Sequence, residues 1–246
     1  MLKRLVPVLI IAICLISPVQ ADWKQLLESL SGGASGSAPA GEAAPTNDEI
    51  IRGLKEALTQ GARRAVESLG RTDGFLGNAE VRIPVPEKLK SVESGLRALK
   101  QDKYADEFIL TMNRAAESAV PEARAILGDA IKQMTVDDAR RILKGPDDAA
   151  TQYFRKVGGE RIAQRMRPII SDATSRAGVT SAYKSLVDKA GFAAKMAGAD
   201  TVDIDGYVTQ EALDGLFLLI AQEEKRIREN PVARSTELLK KVFSGS

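Results

Sequence analysis

From Asn47 almost to the C-terminus, apolar residues recur at intervals of three and four, the spacing that gathers them on one face of a helix. The stretch DEIIRGLKEALTQGARRAVESLG carries the pattern in Ile50, Ile51, Leu54, Leu58, Ala62, Ala65 and Leu69, with Asn47 ahead of it as a cap and Gly70 as its terminator. A chain patterned this way can hide its apolar faces only by packing helix on helix. Further helices are predicted over 86–99, 103–119, 121–134, 135–143, 147–157, 160–177, 181–196, 208–229 and 231–243, with Pro121 in a first turn and a Gly145-Pro146 break. The fold class is therefore all-α: a single helical domain over 47–246, of about nine or ten helices, with one extended strap or short strand segment. Residues 216–221, LFLLIA, are apolar on every side and predict a central strut, whereas Glu224 with Arg228 and Glu223 with Arg226 further along read as solvated helix pairs.

The first 46 residues follow other rules. Lys3 and Arg4 precede an apolar run over 5–16, and SPVQA then leads to Asp22, the pattern of a secretory signal peptide (1–21) cleaved after Ala21. The run is shorter than the roughly 20 residues a membrane helix needs, so no transmembrane segment is expected after its removal. The only cysteine, Cys14, leaves with it, and Ile13 before it departs from a lipoprotein signal. Residues 22–46 read as a short amphipathic helix carrying Trp23, Leu26, Leu27 and Leu30, followed by a flexible Gly/Ser/Ala/Pro linker.

What remains has few chemical tools. The chain has no histidine, and without Cys14 it has no disulfide, thiol nucleophile or thiolate metal site. Enzyme chemistry narrows to carboxylate, Lys, Tyr or Ser groups, and the reading leans away from catalysis. Lysine and arginine number 35 against 33 acids, and removing Lys3 and Arg4 with the leader equalises them, so nothing suggests nucleic-acid capture. No cofactor is implied.

Two stretches invite a site. TDGFLGNAEVRIPVP, residues 72–86, interrupts the helices: Gly74 and Gly77 bracket Phe75 and Leu76, and Val81, Ile83 and Val85 then alternate with polar residues and prolines. A glycine-hinged apolar loop on a regular body is a binding element in the making, with Asp73, Phe75, Asn78 and Arg82 as its contacts and Asn113 and Arg114 on the neighbouring helix. In DTVDIDGYVTQEAL, Asp203, Asp205 and Gly206 imitate a calcium loop, but Thr201 and Ala212 occupy ligand positions. The better reading is an aspartate cap on the last long helix, and no metal ligand is assigned. Glu107 with Glu117 or Asp106 would be the pair for carboxylate catalysis, and in AATQYFRK, Tyr153 or Phe154 reads as a core anchor. Ser181 to Lys184 matches a Ser-x-x-Lys nucleophile pattern without its partner motifs.

Longer stretches, GFLGNAEVRIPVP, ILTMNRAAESAVPEA, DAATQYFR and YVTQEALDGLFLLIAQEEKRIRENP, together resemble the domain-of-unknown-function 4197 family, secreted proteins of Gram-negative bacteria, over roughly 54–243. The resemblance implies a periplasmic location and a mostly helical fold, and it implies no activity. The expectation is a periplasmic, non-catalytic binding module for an envelope protein, a peptide or a lipid-like ligand. The alternative is a carboxylate-based hydrolase of envelope polymers.

Overall fold

The computed structural model describes residues 46–176 and 202–229. Among these the chain forms seven α-helices: α1 (Asn47–Leu69), α2 (Lys90–Ala98), α3 (Asp102–Ala119), α4 (Ala123–Gln133), α5 (Val136–Lys144), α6 (Ala149–Arg176) and α7 (Ile204–Glu229). Short 3-10 turns at Glu87–Leu89 and Val120–Glu122 lead into α2 and α4, and no strand occurs among the described residues. The fold is all-α. The helices expected at 181–196 and 231–243, the segments before Thr46 and the Ser181 to Lys184 pattern lie outside the described residues.

Local signals account for most boundaries. Thr46, not Asn47, caps α1: its hydroxyl accepts the Glu49 N–H at 3.3 Å, and the Glu49 carboxylate accepts the Thr46 N–H at 2.8 Å. Thr135 and Asp138 repeat this reciprocal arrangement at the start of α5. Asp203 caps α7, accepting the Gly206 N–H on Oδ1 at 2.9 Å, so that helix starts four residues earlier than its apolar pattern suggested.

One predicted break is absent. Helix α6 runs unbroken through Gly158-Gly159, where the sequence suggested an end and a new start. Each glycine costs a helix about 1 kcal/mol relative to alanine, and burial of Phe154, Ile162, Met166 and Ile170 on the same helix outweighs that. The glycines also admit close neighbours, since a Cβ on Gly158 would stand 3.3 Å from Ile126 of α4.

Helices α6 and α7 pack on each other at the centre, α3 lies against both, and α1 joins α7 to α4. Helix α7 is the strut the sequence predicted, with one exception: Leu218, inside the run expected to be enclosed, is 41% exposed. The remaining gap, between α3 and α7, is filled by the chain that joins α1 to α2.

Candidate functional site

The α1–α2 connection turns through Gly70 to Val81 and then runs without regular structure from Arg82 to Pro86. The expected alternation is present, with Val81, Ile83 and Val85 buried and Arg82 and Pro84 exposed, but among the described residues no strand forms. Side chains hold the backbone instead. The Asn113 amide of α3 accepts the Ile83 N–H at 2.9 Å and donates to the Ile83 carbonyl at 2.9 Å, and also to the Ile109 carbonyl at 2.8 Å. One buried amide thus pairs both backbone groups of Ile83, as a neighbouring strand would.

One turn on, Glu117 receives the N–H groups of Phe75 and Leu76 on Oε1 at 3.1 and 3.2 Å, while Arg114 donates to its Oε2 at 2.6 Å. Arg114 also reaches Asp73 at 2.7 Å, and these two carboxylates, Glu117 foremost, push its pKa up. Asp73 sits at φ 62°, a left-handed conformation that aspartate tolerates better than most residues. From the other side, the Tyr207 hydroxyl of α7 donates to the Pro84 carbonyl at 3.1 Å, and the Gln222 amide donates to Glu80 at 3.2 Å. Burial, with Glu211 and Glu87 nearby, raises the Tyr207 pKa to about 12. Beneath the segment Gly215 leaves the space that Phe75 and Val81 occupy: a Cβ there would lie 2.9 Å from the Phe75 ring and 3.2 Å from Val81.

Of the residues singled out from sequence, Asp73, Phe75, Asn78, Arg82, Asn113 and Arg114 all belong to this assembly, in different roles. Phe75 and Asn113 are fully enclosed and offer a partner no surface. Asn78 organises the turn, its side chain accepting the Glu80 N–H and its carbonyl the N–H groups of Val81 and Arg82. Asp73 and the outer edge of Arg114 reach solvent as an ion pair, and Arg82 is exposed with no ion pair among the described residues. Glu107 and Glu117 stand ten residues apart on α3, about 15 Å of helical rise, with Glu107 exposed and Glu117 buried and bonded on both oxygens. Asp106 pairs with Arg97. These acids do not face one another across a cleft. Sequence reasoning missed Tyr207, Gln222 and Gly215, which act on residues more than 120 positions away and carry no local signal.

Residues 44–244 match the family described as Protein of unknown function (DUF4197). The chain belongs to that family. No curated protein and no solved structure matches it.

Elsewhere in this DUF4197 domain, the acidic stretch that leads into the first turn of α7 is used internally: Asp203 takes the Arg167 guanidinium on Oδ2 at 2.8 Å besides its cap, and Asp205 accepts the Thr174 hydroxyl at 2.8 Å. Its first residues, Asp200 and Thr201, lie outside the described residues, and no group of three or more acids positioned to hold a metal occurs among those described. Both aromatics of AATQYFRK anchor the core: Phe154 is fully buried and the Tyr153 hydroxyl donates to the Ala130 carbonyl at 3.2 Å.

The reading of Glu224 and Arg228 as a solvated pair is corrected. They are 4% and 7% exposed, and Glu224 accepts the N–H groups of Ala150 and Thr151 at 2.9 Å each, the Thr151 hydroxyl at 2.9 Å and Arg228 at 2.8 Å. Spacing gives the pair but not its depth, which follows from α6 beginning against the end of α7. At that junction a groove of about 320 Å³ opens between α5 and α6. No described helix is long and apolar enough to cross a membrane.

Proposed function

We propose that the protein is a non-catalytic periplasmic interaction module that recognises an envelope protein, peptide or lipid-like partner through the outward face of residues 71–82. The observation that carries this is the contrast between how firmly the segment is held and what it leaves outside. Glu117 holds its backbone at Phe75 and Leu76, Gln222 holds Glu80, and Asn113 and Tyr207 fix the next two residues, Ile83 and Pro84; a left-handed aspartate is kept in place by an arginine, and Arg82 points to water without an ion pair among the described residues. Rigidity at a loop lowers the entropy a partner must overcome on binding, and strain at a non-glycine residue concentrates at functional positions.

The test is site-specific photo-crosslinking in the intact envelope from a probe at position 82, in otherwise wild-type protein and in a variant carrying Asp73→Asn. A discrete cross-linked product, weakened by the variant, is expected. Indistinguishable or absent products sink the reading. Location is tested by sequencing the N-terminus of protein released by osmotic shock, with Asp22 expected first; retention in the cytoplasm as the unprocessed chain would contradict it.

A further inference from the structure

The groove between α5 and α6 shares no residue with the 71–82 face. It exists because of a tight joint. Gly145 takes an extended conformation, φ −82° and ψ 179°, and a Cβ there would lie 2.6 Å from the Ala149 Cβ and 2.9 Å from the Arg141 carbonyl. Only glycine lets α5 end so close to the start of α6. The floor is apolar, formed by Ile142, Pro146, Ala149, the Tyr153 ring and Val157. Val157 is 40% exposed, and the Tyr153 hydroxyl is turned inward to the Ala130 carbonyl, so the ring presents its apolar body.

The charges around this floor are unequal. Arg141 and Lys156 line it from opposite helices, and Asp138 is the one acid among the lining residues. Both Asp138 oxygens are already engaged: Thr135 donates its N–H and hydroxyl to Oδ2, and Arg141 donates to Oδ1 at 2.7 Å. Those bonds from Thr135, more than the arginine, hold its carboxyl below the usual range and keep it an anion already paired with Arg141. Asp148, one turn before Gln152 at the mouth, accepts that residue's amide, and Asp147 stands exposed at the joint. Lys156 makes no ion pair among the described residues. The lining therefore offers an apolar seat with one uncompensated cation beside it and a guanidinium opposite.

We propose that this groove docks a peptide segment carrying a carboxylate next to an apolar side chain, the apolar group resting on Tyr153, Pro146 and Val157 and the carboxylate meeting Lys156. Its volume is at the lower end of the range that holds small ligands, enough for two or three side chains. An open seat of that size gives weak binding unless charge adds to it, so Lys156 is the discriminating contact.

Purified protein is titrated at low ionic strength with fluorescein-labelled acetyl-Leu-Glu-Leu-Glu amide and with its Leu-Lys-Leu-Lys counterpart, followed by anisotropy and by backbone amide shifts. The acidic peptide is expected to bind about tenfold tighter than the basic one and to move the amides of 145–157. Lys156→Glu is expected to weaken it about fivefold, the upper range for an exposed ion pair, and Val157→Asp to abolish saturation. Both positions are exposed, and circular dichroism checks that the variants keep their helices. Equal affinity for the two peptides, affinity unmoved by Lys156→Glu, or no saturable binding at millimolar peptide overturns the proposal. Failure here with the position-82 cross-link intact removes the groove alone, and the reverse pattern removes the loop reading alone.

Discussion

Two buried glutamates solve the same problem in two parts of the molecule. Glu117 on α3 and Glu224 on α7 each collect two backbone N–H groups from a distant segment and one arginine from their own helix. The difference lies in what they hold. Glu224 serves the first turn of α6, where N–H groups have no partner within the helix and the dipole favours an anion, and its arginine is sealed in at 7% exposure. Glu117 serves a segment with no regular structure, and its arginine is 37% exposed and shared with Asp73. A carboxylate that caps a central helix is part of the framework; one that holds a loop from a half-open site controls only that loop.

That contrast can be broken by substitution. The largest effect is expected for Glu224→Ala, which takes the carboxylate away from a buried arginine that still donates to the Ile142 carbonyl, and from two helix N–H groups at once: about 3 to 5 kcal/mol lost in urea unfolding. Glu117→Ala should cost less, about 2 kcal/mol, because Arg114 keeps Asp73 and water, and the loss should show in hydrogen exchange at Phe75 and Leu76 before it spreads. Equal global destabilisation by the two would abolish the distinction. Gly215→Ala asks whether packing holds the loop as firmly as polar bonds do. A methyl 2.9 Å from the Phe75 ring should cost about 1 to 3 kcal/mol and shift the Phe75 ring resonances.

The smallest effect concerns Tyr207. Its pKa is raised to about 12 in the fold, so the bond to Pro84 contributes its full stability below the ordinary tyrosine value near 10 and loses it as pH climbs through 12. Wild type should lose about 1 kcal/mol over that window relative to Tyr207→Phe, which lacks the bond at every pH. Parallel alkaline profiles for the two proteins would contradict the assignment.

The helical class, the start of α5 at Thr135, the α7 cap at Asp203 and the buried alternation of Val81, Ile83 and Val85 were legible because each is written within a few residues. The cap of α1 was misplaced by one residue because Thr46 and Asn47 are both good caps, and only the reciprocal bond from Glu49 decides between them. Gly158-Gly159 misled because propensity is local, whereas the burial that overrides it comes from α4 and α7. The site was half legible. Asn113 and Glu117 lie on one face four residues apart, which announces a pair, yet whether such polar groups look outward or inward depends on a segment some 30 to 40 residues earlier. The same ambiguity placed Glu224 and Arg228 in solvent.

Asn113 has a consequence for how this chain behaves among its own copies. Val81-Arg82-Ile83-Pro84-Val85 is the sort of alternating stretch that, left with open edges, recruits an identical stretch from another molecule. Here the amide occupies one side of Ile83, the Arg82 N–H turns back to Asn78, and the Pro84 carbonyl is taken by Tyr207. Two side chains and a turn thus act as a guard against self-templating, and Asn113→Ala would leave both backbone groups of Ile83 without that amide.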